Sequence, residues 1–186
     1  MAWITKDSAG AKIERRDQPY LTEAMKKTVR EVYLPRYERA QGALLPTLHL
    51  IQHEYGWIPH QALVEIADFL SLQPADVLDT ASFYEEYWLQ RKGKNLIAVC
   101  RSIACEFCGN REITAACSKK LGIEPGETTD DDQFTLVELE CLGSCGTAPV
   151  ALINETLHEN LTPQDMDRLV DEARAGRAGG RSGDHH

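Results

Sequence analysis

Four of the six cysteines fall in two close pairs, Cys100 with Cys105 and Cys141 with Cys145. A soft metal is bound by thiolate, and four thiolates gathered without a cation would repel one another, so such a set points to a metal centre. The spacings are C-x4-C and C-x3-C, with residues 106–140 between the pairs, enough for a helix and a strand. An iron-sulfur centre and tetrahedral zinc both accept four sulfurs, although zinc ribbons more often use C-x2-C knuckles. Cys108 opens two rival readings. Cys105-Glu-Phe-Cys108 has the C-x-x-C form of a thioredoxin-type redox pair, and Cys100-x4-Cys105-x2-Cys108 has the run of a plant-type ferredoxin. Either rival leaves Cys141, Cys145 or both without a role, so the two-plus-two set ranks first. Cys117, inside an apolar helical stretch, reads as a small buried hydrophobe.

Each pair sits where a strand runs out. Residues 95–100 deliver Cys100 and residues 134–141 deliver Cys141, and two neighbouring strands ending together would bring four sulfurs to one rim. The loop residues are small or turn-forming, so backbone N-H groups near Ile103 to Cys105 and Leu142 to Gly146 are the expected donors to sulfur. Around them the spacing predicts strand, helix, strand, strand, helix over 95–100, 107–121, 134–141, 149–154 and 163–175. A mixed sheet flanked by helices is the economical arrangement.

Upstream, the apolar period is helical. A helix over 21–34 has Thr22 as cap and Met25, Val29 and Val32 on one face, and it breaks near Pro35. A second runs from Ala43 to Tyr55 and closes at Gly56, a third starts at Pro59, and a short fourth opens at Pro74. The division read from this is a disordered N-terminus at 1–19, a helical bundle at 20–90, a sheet domain at 91–175 and a glycine-rich disordered tail at 176–186. His185-His186 belongs to that tail.

The 186 residues carry a formal net charge of -9, which argues against nucleic acid, because phosphate binding needs clustered Lys and Arg. No apolar run reaches the roughly 20 residues of a membrane span, and the start lacks the apolar stretch of a signal peptide. A soluble cytoplasmic protein is expected, where cysteines serve metals or redox chemistry rather than disulfides. His49 and His53, one helical turn apart, and the run Asp130-Asp131-Asp132 imitate metal sites, but they read as a polar pair and a solvated loop. No Ser-His-Asp order, phosphate loop or paired carboxylates stand out, so no catalytic residue is assigned.

Cys100-x4-Cys105, Gly126-Glu-Thr-Thr129 and Glu138-x-Glu-Cys-Leu-Gly-Ser-Cys-Gly-Thr-Ala-Pro149 resemble the small 2Fe-2S subunit (NuoE-like) of the NADH dehydrogenase module of NADH:quinone oxidoreductase, complex I. Leu48-x-x-x-Gln52-x-x-Tyr55-Gly-Trp-Ile58 and Ala81-Ser-Phe-Tyr84 are similar to that family's helical region, and the likeness spans residues 30 to 173. The resemblance implies an α+β or α/β chain: a helical bundle followed by a thioredoxin-like ferredoxin domain. It also implies one 2Fe-2S cluster, with Cys100 and Cys105 on one iron and Cys141 and Cys145 on the other. The implied partner is a flavoprotein subunit holding FMN, a 4Fe-4S cluster and the NADH site, within a larger redox complex. That complex would sit in the cytoplasm or peripherally at the inner membrane, with no insertion by this chain. Cys108 departs from the family pattern. Similar chains serve NAD-linked hydrogenases, including bifurcating ones, and formate dehydrogenases, and a zinc-stabilised binding module is the non-enzyme alternative. Tyr55, Trp57, Phe83, Tyr84 and Trp88 are the expected docking surface for the flavoprotein. Pro149 falls where thioredoxin-like folds use a cis bond, whereas trans is the general default.

Overall fold

The computed structural model describes residues 14–176, so residues 1–13 and the tail from 177, with His185-His186, lie outside the described residues. The described chain divides into two compact units, one ending at Arg91 and one beginning at Lys92.

In the first unit, α1 (Glu23–Thr28) is capped as expected, Met25 N-H donating to Thr22 Oγ1 at 3.3 Å. The helical run breaks just past Pro35, as expected, with Tyr37 extended, but its winding changes on the way. A π turn, Val29–Tyr33, and a 3-10 turn, Leu34–Arg36, follow directly. Proline has no N-H to continue the ladder, and Leu34 N-H reaches back five residues to Val29 O. The wider turn rotates Val32 out to 40% exposure while Val29 is fully buried, so the expected apolar face is only partly realised.

α2 (Leu44–Tyr55) ends on Gly56, which takes the left-handed conformation (φ 77°) that closes a helix without steric cost. Then come α3 (His60–Leu70), entered from Pro59, and α4 (Pro74–Phe83). Leu48, Ile51, Ile58, Leu63, Ile66 and Val77 form the core of this unit. Gln52 ties the segment after α4 to α2: its amide donates to Glu86 O and its oxygen accepts Trp88 N-H, both at 2.7 Å. Residues 14–19, expected to be disordered, are pinned through Arg16, which bonds Gln61, Pro19 O and Tyr55 Oη.

The second unit holds a four-stranded mixed sheet in the order β2-β1-β3-β4. β1 (Asn95–Cys100) runs parallel to β2 (Phe134–Leu139) and antiparallel to β3 (Ala151–Ile153). The helix expected at 107–121 is α6 (Asn110–Leu121), starting three residues later, and a short helix, α5 (Ile103–Phe107), takes up the expected loop before it. The break falls at Cys108-Gly109, where Gly109 sits at φ 94°, a conformation glycine adopts freely. β2 ends two residues before Cys141. An unanticipated edge strand, β4 (Thr156–His158), pairs with β3 across the tight turn Asn154-Glu155, with Asn154 at φ 55°. α7 (Pro163–Arg174) packs Met166, Leu169 and Val170 with Ile113 and Cys117 of α6 against Ile97, Val99, Phe134, Leu136 and Ile153 of the sheet.

Candidate metal centre

β1 and β2 are parallel, so they end at the same edge of the sheet. Cys100 is in register with Leu139, and Arg101 N-H donates to Leu139 O at 2.8 Å. The chain past β1 turns into α5 and places Cys105 in its first turn. The chain past β2 carries Cys141, then Gly143 at φ 77°, then Cys145 at the head of a 3-10 turn, Cys145–Thr147. A third segment closes the rim: the Ala148-Pro149 bond is cis, and Val150 O accepts Cys100 N-H at 3.1 Å.

The four thiols differ in setting. Cys100 and Cys105 are buried, forming a small apolar cluster with Val150 flanked by Leu142 and Ala148, whereas Cys141 and Cys145 are exposed. Burial pushes the Cys105 thiol up to about 11. The Val150 N-H donating to its sulfur opposes the shift, and the neighbouring Cys100 and Cys145 add to it. Cys100 and Cys105 are thus in contact and Cys145 lies within their field. Cys141 is delivered to the same end by β2, and Gly143 N-H donates to its sulfur at 3.3 Å. Among the described residues no group of three or more His, Cys, Asp or Glu side chains is already closed into a metal-holding arrangement. The chemistry of the donor set nonetheless fits a thiolate-ligated iron-sulfur group: soft sulfur donors, two of them buried, with N-H groups aimed at two of the sulfurs.

Of the expected donors, Gly143 lies in the Leu142–Gly146 stretch, while Val150 lies outside both stretches. Asn110 was not anticipated either; its amide donates to Cys100 O at 3.2 Å, from the first residue of α6. Both act on or through the backbone, which leaves no residue-type signal. Arg101 and Glu140, flanking the two cysteine loops, form an ion pair that holds the Glu140 carboxyl below its usual range.

The other candidates separate from this rim. Cys108 is exposed at the end of α5, and Cys117 is fully buried in the core, where burial pushes its thiol up to about 12. His49 and His53 are exposed, His49 against the Tyr87 ring at 4.9 Å. The Asp131 carboxylate is occupied by Thr129 Oγ1 and Gln133 N-H. Among the aromatics, Phe83 is 78% exposed and Tyr84 43%, while Tyr55, Trp57 and Trp88 are half-buried.

A helical unit followed by a thioredoxin-like sheet whose edge carries paired cysteines defines a ferredoxin-type iron-sulfur protein. Residues 30–174 match the model of the thioredoxin-like 2Fe-2S ferredoxins, and the chain belongs to that family. It is 42% identical over 141 residues to the NuoE-type chain of the NADH-quinone oxidoreductase of Rickettsia felis, covering 75% of this chain and 83% of that one. To the corresponding NADH-quinone oxidoreductase chain of Escherichia coli K12 it is 38% identical over 135 residues, 73% of this chain and 81% of that one. Among solved structures, the NAD+-reducing NiFe-hydrogenase in its H2-reduced state aligns with a TM-score of 0.64 and 27% identity. That alignment covers 75% of this chain but only 23% of the hydrogenase chain. No helix among the described residues is long and apolar enough to cross a membrane.

Proposed function

We propose that this chain is the electron-transfer subunit carrying one 2Fe-2S cluster in the NADH dehydrogenase module of an NADH:quinone oxidoreductase, with Cys100, Cys105, Cys141 and Cys145 as the ligands. The single observation that carries the ligand assignment is the parallel pairing of β1 with β2, which ends the strand bearing Cys100 and the strand leading into Cys141 at one edge, beside the Pro149 segment. When bound, the cluster supplies a one-electron acceptor and donor. The chain's own residues position and tune. Val150 and Gly143 present N-H groups to sulfur, Asn110 and Val150 fix the end of β1, and Leu142 and Ala148 keep water from the buried pair.

The partner in this reading is an FMN-binding, NADH-oxidising subunit with its own 4Fe-4S cluster, so flavin and nicotinamide chemistry belong to that subunit. The complex would be cytoplasmic or peripheral on the cytoplasmic face of the inner membrane, without insertion of this chain and without nucleic acid. A second reading, the equivalent part of an NAD-linked hydrogenase or formate dehydrogenase, draws on the hydrogenase likeness. The higher identity to the quinone oxidoreductase chains favours the first.

Iron, acid-labile sulfide and zinc in anaerobically purified protein, with an EPR spectrum after dithionite reduction, test this reading. About two irons and two sulfides per chain with a reduced-cluster signal are expected. Cys141→Ser or Cys145→Ser should remove or alter that signal, and Cys108→Ser should leave it. Stoichiometric zinc without a signal would leave a structural module instead.

A further inference from the structure

The carboxylate of Glu159 reaches back from the end of β4 to the loop that carries Cys145. Its Oε1 accepts from Ser144 Oγ at 2.7 Å and from Thr147 Oγ1, the residues on either side of the Cys145-Gly146 pair. The two hydroxyl oxygens are 2.7 Å apart, and Thr147 Oγ1 also lies 3.2 Å from Ser144 O. Two backbone bonds extend the connection: Asn160 N-H to Thr147 O at 2.8 Å and Leu161 N-H to Pro149 O at 3.0 Å. The hydrogen bonds from both hydroxyls hold the Glu159 carboxyl below its usual range, so it is ionised at neutral pH.

This arrangement has two physical consequences. The 3-10 turn bearing Cys145 is exposed, and it is tied at its start and its end to one carboxylate, which reduces the freedom of a ligand-bearing loop before any metal arrives. Further, every placement of the two hydroxyl protons that these distances allow spends them on Glu159, on each other or on Ser144 O. Neither remains for the adjacent sulfur. A hydroxyl donating to a ligand sulfur stabilises the more negative, reduced state of an iron-sulfur group and raises its potential, and a nearby carboxylate lowers it.

We propose that Glu159 is a positioning residue for the cluster: it locks the Cys145 loop and withholds the Ser144 and Thr147 hydroxyls from sulfur, keeping the potential low and the cluster retained. This rests on the reading of Cys145 as a ligand.

The test compares Glu159→Gln and Glu159→Ala with the unaltered full chain, by midpoint potential at low salt, EPR g-values and the rate of cluster loss to excess EDTA. Glu159→Ala should move the potential positive, shift the g-values and speed cluster loss about threefold, the effect of losing weak hydrogen bonds at an exposed site. Glu159→Gln keeps an acceptor oxygen without the charge. It should retain the cluster near the normal rate and show a smaller positive shift, a rescue that a merely structural role would not produce. An unchanged potential, spectrum and loss rate in both variants overturns the proposal, as does lowered thermal stability alone. If the unaltered chain holds no 2Fe-2S cluster, the ligand reading itself fails and the proposal falls with it.

Discussion

Cys105 and Cys117 are both buried thiols pushed far above the ordinary range, yet only Cys105 stands at the end of the sheet with Cys100 beside it and Val150 N-H at its sulfur. Position rather than reactivity separates a candidate ligand from a packing residue. Cys117 touches the core formed with Ile113, Leu136 and Met166, where serine would bury a hydroxyl among apolar groups. Cys117→Ser should therefore lower stability by about 1–3 kcal/mol, read by thermal denaturation, with iron content unaltered. Loss of iron in that variant would show that Cys117 matters to the metal centre. At this scale the sequence was legible for what has a residue type, the four cysteines. It was silent on Val150 and Asn110, whose contributions are a backbone N-H and an amide made useful by where the fold puts them.

The elements differ from their expected form where local geometry outranks apolar period. Val32 leaves the buried face because the π turn ahead of Pro35 adds a residue to the winding. A short helix, α5, forms where a loop was expected, and the helix expected from 107 starts only at Asn110, because Gly109 reverses the backbone between them. β4 has no apolar period to mark it, since it is three residues long and its signal is one Asn in a tight turn. α7 was legible, and its start is a reciprocal cap: Asp165 N-H donates to Thr162 Oγ1 at 3.3 Å while Thr162 N-H donates to Asp165 Oδ2 at 3.0 Å. Thr162→Ala should cost about 1 kcal/mol. For a chain of this size that lowers Tm by roughly 2–4 °C. The Thr162 bonds hold the Asp165 carboxyl below its usual range. Its contribution is therefore present above the ordinary Asp value and is lost as pH falls through the lowered one. The Tm difference between Thr162→Ala and the unaltered chain should persist at pH 5 and narrow only in strong acid. A difference that vanished by pH 5 would contradict the cap.

For the whole molecule, the net charge of -9 and the exposed aromatics at the end of α4 bear on assembly. Phe83 and Tyr84 stand out from the end of α4 near exposed Asp76, Asp79 and Glu86, which suits a basic, aromatic-accepting surface on a partner, the flavoprotein in the proposed complex. The docking role expected of Tyr55, Trp57 and Trp88 narrows accordingly, since these are half-buried within their own unit. Phe83→Ala with Tyr84→Ala should weaken co-purification of the flavin-containing partner, and raised salt should weaken it further, while the cluster EPR signal persists. Unaffected association would move the docking surface elsewhere.

Sequence alone determined the chemistry available to this protein, because ligand type and spacing are covalent facts: four paired thiols, an acidic chain, and a motif that resembles one family. It also determined the order of helices and strands wherever the apolar period was long. Only the tertiary structure decided which groups surround those thiols. Parallel pairing of β1 with β2 brings residues 100 and 139 into register, Val150 joins the end of β1 and the Cys105 sulfur, and the β3-β4 hairpin returns Glu159 to the Cys145 loop. Those neighbours are set by strand register and loop closure between positions distant in the chain, and such pairings leave no periodic trace in the order of residues.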